Sequence, residues 1–306
     1  MADLSVSPET RRMLEAETDL VLSPPNRQAL LDIIPDCDAY LASLHVRFDR
    51  EVFDRAARLQ VIATPSTGTD HIDLEAAAER GVEVITLKEE TEFLDRVTST
   101  AELAWGLLLA AVRKIPSSMA DTLKGNWGRD RFRGHQLAYK TLGILGYGRL
   151  GRILAEYGKA FRMKVLACDV RPFETEGVER VDFDTLLARS DVISIHIHLT
   201  DENRGVISRE AFAKMKPGIV IINTSRGAII DEEALVEALE NGTVSAAGLD
   251  VIHGEWREDL ADHPLIRYAR EHDNFIIVPH LGGTTFEAQD MTLQFIAGKL
   301  LEKLRE

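Results

Sequence analysis

The sequence predicts an α/β protein made of two parallel-sheet regions, and three observations carry that expectation. Short β-branched apolar runs alternate with amphipathic helical stretches along nearly all of its 306 residues. One helical stretch, longer than the others, divides an N-terminal series of these units from a second series. The second series opens with an apolar strand that runs straight into a glycine-rich turn and a helix, "TLGILGYGRLGRILAEYGKAF".

In the first region "TDLVLS" and "CDAYLASL" read as strands, "DREVFDRAARL" as a helix capped by Asp49, and "LQVIATP" as a strand. "DLEAAAERG" is a helix closed by Gly81, and "VEVITL" another strand. Apolar residues then recur at helical spacing from Leu94 to Ile115, where Pro116 is expected to end the helix. A helix of that length suits a crossover between domains, and its apolar residues exceed what one buried face requires. "KGNWGRDRFRGHQLAY" is irregular. Beyond it, strands "TLGILGY", "KVLACD", "DVISIHI", "GIVIINTS", "SAAGLDVI" and "NFIIVPH" alternate with helical stretches, the pattern of a doubly wound parallel sheet. A last helix, "TFEAQDMTLQFIAGKLLEKL", lies past the final strand and is expected to return to the first region. The chain then divides into a discontinuous domain, residues 1–96 and 284–306, and an inserted domain, residues 97–283.

Composition narrows the function. Apolar residues make up 45% and charged residues 28%, as in soluble globular proteins. A net charge of −14 argues against nucleic-acid and membrane-surface partners, which are polyanionic themselves. A small anionic substrate is still admissible, because a local cationic pocket overrules the global field. Cys37 and Cys168 lie in no Cys-x-x-Cys or metal-ligand spacing, so no metal site is expected and a reducing cytoplasm is the simplest reading. The N-terminus "MADLSVSPETRRMLEAE" has no apolar core, so no signal peptide is expected, and no apolar run reaches bilayer-spanning length.

The turn Gly146-Tyr147-Gly148-Arg149-Leu150-Gly151 has a spacing that also occurs in ordinary loops; its context is what marks it. Gly146 permits the bend after the strand, Gly148 lets the backbone approach a diphosphate, and Gly151 lets the helix sit close to the strand. The helix start offers unpaired N–H groups and a positive dipole end to the phosphates. Tyr147, Arg149, Leu150 and the later Thr224 are assigned with the glycines to the cofactor. Asp169 ends the next strand at the distance where a carboxylate meets the ribose hydroxyls of NAD and repels the 2′-phosphate of NADP. Arg171 stands close enough to oppose that preference, and a solvated strand end is the alternative for Asp169. The fold class is therefore α/β: a Rossmann-type doubly wound sheet domain plus a second, flavodoxin-like α/β substrate domain.

Ligands of such sheets bind beyond the carboxyl ends of the strands. Arg226 follows "IVIINTS", Glu255 follows "SAAGLDVI", and His280 ends "NFIIVPH". Reduction of a ketone by hydride transfer needs a proton donor for the developing alkoxide, and histidine suits that near neutral pH. A carboxylate beside it would fix the ring and favour its charged form. An arginine holds a 2-keto acid by paired hydrogen bonds. Separately, each has a bland alternative: a structural histidine, a solvated glutamate in a charge-rich stretch, an arginine paired with Asp231.

These motifs resemble the D-isomer-specific 2-hydroxyacid dehydrogenases. The resemblance runs through "STGTDHIDLEAAAERGVEV", "STAELAWGLLLAAVRK", "KTLGILGYGRLGR", "SDVISIHIHLTDENRGVI", "MKPGIVIINTSRGAIIDEEALVEAL", "AAGLDVIHGE" and "VPHLGGTTFEA". The phosphoglycerate-dehydrogenase-like and hydroxypyruvate or glyoxylate reductase members are nearest. It implies that Arg226 binds the substrate carboxylate and carbonyl, Glu255 supports the histidine, and His280 is the acid–base. Asp250 would hold the nicotinamide carboxamide, with Gly283 near it. The N–H groups of Thr67 and Gly68 would receive the substrate carboxylate. His45 and Arg47 would meet the substrate's far end, unless Arg47 only pairs with Asp49 or Glu51. Trp256, His198 and Ser66 stand where relatives often have proline, proline and glycine; His198 reads as structural. The sequence ends soon after its last helix, so no regulatory domain of the kind some phosphoglycerate dehydrogenases carry is expected.

The resemblance also implies a homodimer through the nucleotide domain, for which the apolar helix Leu94 to Ile115 is the candidate and burial within the monomer the alternative. A rival function comes from the same family: an NAD-sensing protein-binding module of the C-terminal-binding-protein corepressor type.

Overall fold

The computed structural model describes residues 4–257 and 259–306. By its contacts the chain forms two compact units, residues 1–97 with 284–306, and residues 98–283.

In the first unit, helices α1 (Pro8–Glu17) and α2 (Arg27–Ile33) lead to strand β1 (Ala39–Leu41). Helix α3 (Arg50–Arg55), strand β2 (Val61–Ala63), helix α4 (Leu74–Glu79), strand β3 (Glu83–Ile85) and helix α5 (Thr91–Leu94) follow. The strands pair in parallel in the order β1-β2-β3. Central β2 is apolar and wholly buried, because helices cover both faces of a parallel sheet. Asp49 and Asp73 start α3 and α4 by accepting the N–H of Val52 (3.3 Å) and Ala76 (2.9 Å). Contrary to expectation, "TDLVLS" is not a strand. It pairs with no neighbour, Pro24 and Pro25 cut it short, and Val21 and Leu22 are left exposed.

The second unit begins with α6 (Ser99–Val112) and α7 (Ile115–Thr122). The single helix expected from Leu94 to Ile115 is thus three pieces. Lys114 adopts a left-handed φ of 52°, and Pro116 lies in the first turn of α7 instead of ending the helix before it. The apolar excess of α6 is spent inside its own unit, where Trp105, Leu107 and Leu108 are buried. Gly248 lets the sheet approach it, since a Cβ there would lie 3.1 Å from Leu107 Cβ.

The sheet of this unit has β4 (Thr141–Leu145), β5 (Lys164–Cys168), β6 (Val178–Arg180), β7 (Val192–Ile195), β8 (Ile219–Asn223), β9 (Val244–Leu249) and β10 (Phe275–Ile277). All pair in parallel, in the spatial order β6-β5-β4-β7-β8-β9-β10. Helices α8 (Arg149–Ala160), α9 (Phe183–Arg189), α10 (Arg209–Lys214), α11 (Glu232–Glu240) and α12 (Pro264–Glu271) make the crossovers. The order reverses beside β4, the switch point at which open sheets bind ligands. Strand β6 escaped the sequence reading, because "VER" is short, charged and largely exposed. Helix α13 (Phe286–Leu304) closes the first unit, burying Leu293, Ile296, Leu300 and Leu301 with α1 and β2.

His196 follows β7. Its Nε2 is 2.8 Å from Ser194 Oγ, and among the described residues its Nδ1 has no partner. Burial pushes its pKa down from 6.5 to about 4. It is therefore neutral in the fold and protonates first in the unfolded chain, so its stabilisation holds above about pH 6.5 and drains as pH falls toward about 4. Over that interval we expect wild type to lose on the order of 3 kcal/mol more stability than His196→Gln. Denaturant melts at several pH values check this; parallel curves would contradict it.

Candidate active site

Strands β8, β9 and β10 are neighbours and end at one edge of the sheet. Asn223 lies opposite Leu249, and Leu249 opposite Ile277. Shortly beyond these three residues come Arg226, Glu255 and His280.

His280 Nδ1 is 2.9 and 3.1 Å from the two carboxylate oxygens of Glu255. A carboxylate accepts, so Nδ1 carries a proton and Nε2 is the atom left to give or take one. The two side chains are 26% and 19% exposed, sheltered but reachable by a small ligand. His280 adopts a left-handed φ of 53°, a strained setting of the kind that gathers at functional sites. Asp250 holds that turn. Its carbonyl accepts the His280 N–H (2.9 Å), and its carboxylate accepts the N–H groups of Leu281 (2.5 Å) and Gly282 (2.9 Å). Burial pushes the Asp250 carboxyl above its ordinary value, and the Leu281 N–H pulls it back.

Arg226 Nη1 donates to Ser225 O (2.8 Å), and Asn223 Nδ2 donates to Arg226 O (2.9 Å). Asp231, the partner the sequence also offered for Arg226, accepts the Ala234 N–H at 3.1 Å at the start of α11. A Cβ on the adjacent Gly227 would lie 2.0 Å from Ile252 C and 2.2 Å from His253 N. Only glycine lets the Arg226 segment lie against the segment that carries Glu255.

The glycine turn follows β4. A Cβ at Gly151 would strike Gly146 O at 2.1 Å, and one at Gly146 would strike His196 O at 2.6 Å. Both glycines are required by the chain itself. Gly148 is different: a Cβ there meets nothing within 4 Å, and no side chain caps the helix it starts. Open space and uncapped N–H groups at a helix start fit a phosphate group. Arg149 and Leu150 occupy the first turn of α8, half-buried. Tyr147 packs on Phe173, centroids 4.1 Å apart, and its N–H donates to Asp169 Oδ2 at 2.7 Å. Asp169 Oδ1 accepts from Arg171 N–H at 2.8 Å, so each oxygen keeps a lone pair for a hydroxyl. Thr224 Oγ1 is buried and has no partner among the described residues. Gly283 likewise opens onto free space. These features fit a dinucleotide.

In the first unit, Thr67 and Gly68 follow β2, and neither N–H is engaged by the described residues. His45 and Arg47 follow β1 and are exposed. Phe48 N–H donates to His71 O (2.7 Å) and Asp73 N–H to Phe48 O (2.9 Å), which ties their segment to the Thr67–Gly68 segment. Asp49 and Glu51, the surface partners considered for Arg47, also pair with Arg27 at 2.9 and 2.5 Å, and the positive charge of Arg47 still acts on Asp49.

Residues 105–282 match the profile of the D-isomer specific 2-hydroxyacid dehydrogenase, NAD binding domain. The chain belongs to the D-isomer-specific 2-hydroxyacid dehydrogenase family. It is 40% identical over 270 residues to the D-3-phosphoglycerate dehydrogenase of Mycobacterium bovis, covering 87% of this chain and 49% of that one. The chain thus spans about half the length of the phosphoglycerate dehydrogenases it matches. It is 37% identical to the hydroxypyruvate reductase of Thermotoga maritima over 90% of this chain and 88% of the relative. The crystal structure of D-lactate dehydrogenase from Aquifex aeolicus, complexed with NAD and lactic acid, superposes with a TM-score of 0.80 at 29% identity, covering 99% and 92% of the two chains. Among the family's 2-hydroxyacid dehydrogenase features, the second unit of this chain carries the NAD-binding domain.

Two features of this family member escaped the sequence reading. His198 lies at the surface, and the histidine of that segment with a buried ring nitrogen is the half-buried His196. Beneath the Thr67–Gly68 loop runs a polar chain: His71 Nε2 to Thr64 Oγ1 (3.1 Å), Thr64 Oγ1 to Ser66 Oγ (3.0 Å), and Ser66 Oγ donating to Gly68 O (2.7 Å). Thr64 and His71 are buried. A threonine ending the apolar run "LQVIAT" is its visible signal. Ser66 ties the loop down. We expect Ser66→Ala to cost about 1 kcal/mol of stability, the worth of one hydrogen bond. Denaturant melts check this; an unchanged midpoint would contradict it.

Proposed function

We propose that this protein is an NAD-dependent oxidoreductase that interconverts a small 2-keto acid and its D-2-hydroxy acid. Hydroxypyruvate, glyoxylate and 3-phosphohydroxypyruvate are the leading substrates. The observation that carries the reading is the hydrogen bond between His280 Nδ1 and Glu255 at the strand edge that also bears Arg226. NADH, when bound, would supply the hydride. Gly146, Gly148 and Gly151, with the start of α8, would hold its diphosphate, and Asp169 its adenine ribose. Thr224, Asp250 and Gly283 would line its nicotinamide end. His280 Nε2 delivers the proton to the carbonyl oxygen, and Glu255 keeps the ring oriented and offsets its charge. Arg226 binds the substrate carboxylate and polarises the carbonyl.

In this reading the first unit is the substrate domain. The N–H groups of Thr67 and Gly68 receive the carboxylate, and His45 and Arg47 meet the far end of the substrate. Asp169 favours NAD, since its carboxylate repels a 2′-phosphate. The unpaired thiols of Cys37 and Cys168 suit a reducing cytoplasm. No helix among the described residues is long and apolar enough to cross a membrane. The relatives are named as dehydrogenases and reductases, so nothing favours the corepressor-type alternative.

The test is oxidation of NADH and NADPH in parallel against the three keto acids. The reading expects saturable turnover with at least one of them and at least a tenfold preference for NADH, about 1.4 kcal/mol. Turnover with NADPH alone would overturn the assignment of Asp169.

A second copy of the chain is the expected partner. Ile115, Met119 and Leu123 line one side of α7 and its end with 50%, 59% and 79% exposure, and Trp127 beyond them is 89% exposed. Four large apolar side chains in such a row mark an interaction surface. We expect a dimer by light scattering, converted to monomer by Leu123→Glu with Trp127→Ala. A monomeric wild type would contradict this.

A further inference from the structure

Glu255 lies in a turn between β9 and the short 3-10 helix Leu260–Asp262 that precedes α12, yet its carboxylate has to meet His280 Nδ1 within hydrogen-bond distance. The segment is gripped two residues earlier, at the peptide of His253. The His253 N–H donates to Glu232 Oε1 at 2.7 Å. The His253 carbonyl lies 3.1 Å from His263 Nε2. Leu265 N–H donates to His263 Nδ1 at 3.3 Å, so the ring proton sits on Nε2 and is shared between that carbonyl and Glu232 Oε2 at 3.3 Å. Gly227 closes the third side, at a distance no side chain would tolerate. His263 is 2% exposed, whereas His253 itself is exposed, and the grip is on its backbone.

The geometry has a direct consequence. Glu232 opens α11 and His263 caps α12, so the two peptide groups flanking His253 are held by two helix starts, the first by Glu232 and the second by His263. Arg257 N–H donates to Gly254 O at 3.0 Å, closing a turn around Glu255 directly after the pinned peptide. Gly254, with a left-handed φ of 74°, makes that turn possible.

We propose that Glu232 and His263 are positioning residues for the acid–base pair: by clamping the His253 peptide they set where the Glu255 carboxylate meets His280. The inference rests on the roles given above to His280 and Glu255. Neither Glu232 nor His263 touches the reacting groups. They act through the two backbone amides that flank His253: Glu232 and His263 hold one each, and Gly227 lets the Arg226 segment lie against the first.

The test uses the full chain with NADH and its best 2-keto acid. Glu232→Ala is expected to lower kcat about tenfold while NADH affinity stays within about twofold. Glu232→Gln keeps an acceptor for the His253 N–H and is expected to recover kcat to within about threefold of wild type. A merely structural role would lower thermal stability without that split between kcat and affinity, or without that rescue. Proton NMR supplies a readout independent of turnover. The downfield resonance of the hydrogen-bonded His280 Nδ1 proton, assigned by its loss in His280→Gln, should broaden or vanish in Glu232→Ala and persist in Glu232→Gln. If Glu232→Ala does not fold, Glu232→Asp, which draws the carboxylate back by one methylene, carries the same expectation. Unchanged kcat and an unchanged resonance in the folded variant would overturn the inference. A wild type inactive on every keto acid would sink the functional reading instead, and the NMR comparison would still decide the clamp.

Discussion

Replacing His280 with alanine should lower kcat for keto-acid reduction by about 10²–10⁴-fold while leaving NADH binding nearly intact. The reason lies in the direction of the ring. Nδ1 is committed to Glu255 at 2.9 Å, which leaves Nε2 as the one ring atom able to protonate the developing alkoxide. Water can replace the proton donor but not its placement, so the loss falls on kcat. NADH affinity measured by fluorescence provides the control. Near wild-type turnover in His280→Ala would remove histidine from the acid–base role.

Gly227→Ala should have an effect of comparable size for a different reason. The new methyl group would lie 2.0 Å from the carbonyl carbon of Ile252, and backbone does not give way as a flexible side chain does. The Arg226 segment and the Glu255 segment must then part, and a shift of about 1 Å at such a site costs on the order of 10²-fold in kcat/KM. Overpacking adds about 1–3 kcal/mol of lost stability. Gly106→Ala is the matched control, since a Cβ there meets nothing within 4 Å in the middle of α6. If Gly227→Ala kept wild-type kcat/KM and melting temperature, the contact between the two segments would not matter as argued.

Much of the architecture was legible because apolar strands of a parallel sheet are buried on both faces. The runs that became β4, β5, β7, β8 and β9 are continuous and bounded by turns, so local pattern and final burial agree. Pattern failed where a neighbour decides. "TDLVLS" is as apolar as a strand but finds no partner, while "VER" is polar and becomes β6 because β5 offers an edge. The break at Lys114 was hidden because a proline near a helix boundary reads as an end or as a beginning, and only the left-handed lysine shows which.

The candidate site divides along the same line. Residue types at strand ends were visible, so Arg226, Glu255 and His280 could be chosen from sequence. Their mutual placement depends on the register of three strands and on one histidine in a left-handed conformation, neither of which a single sequence encodes locally. The supporting groups were invisible for a related reason. Glu232 and His263 act on the two peptide groups flanking His253, and Thr64 and His71 act beneath a loop, so their spacing in sequence carries no periodic signal.

The central claim is that hydride passes from the nicotinamide to the second carbon of a 2-keto acid at the Arg226, Glu255 and His280 edge. Mass and chiral analysis of the product formed with NADH deuterated at the nicotinamide C4 tests it most directly. The account predicts a D-2-hydroxy acid carrying the deuterium on C2. An unlabelled product, an L product, or tight NADH binding with no product from any of the three keto acids would contradict it.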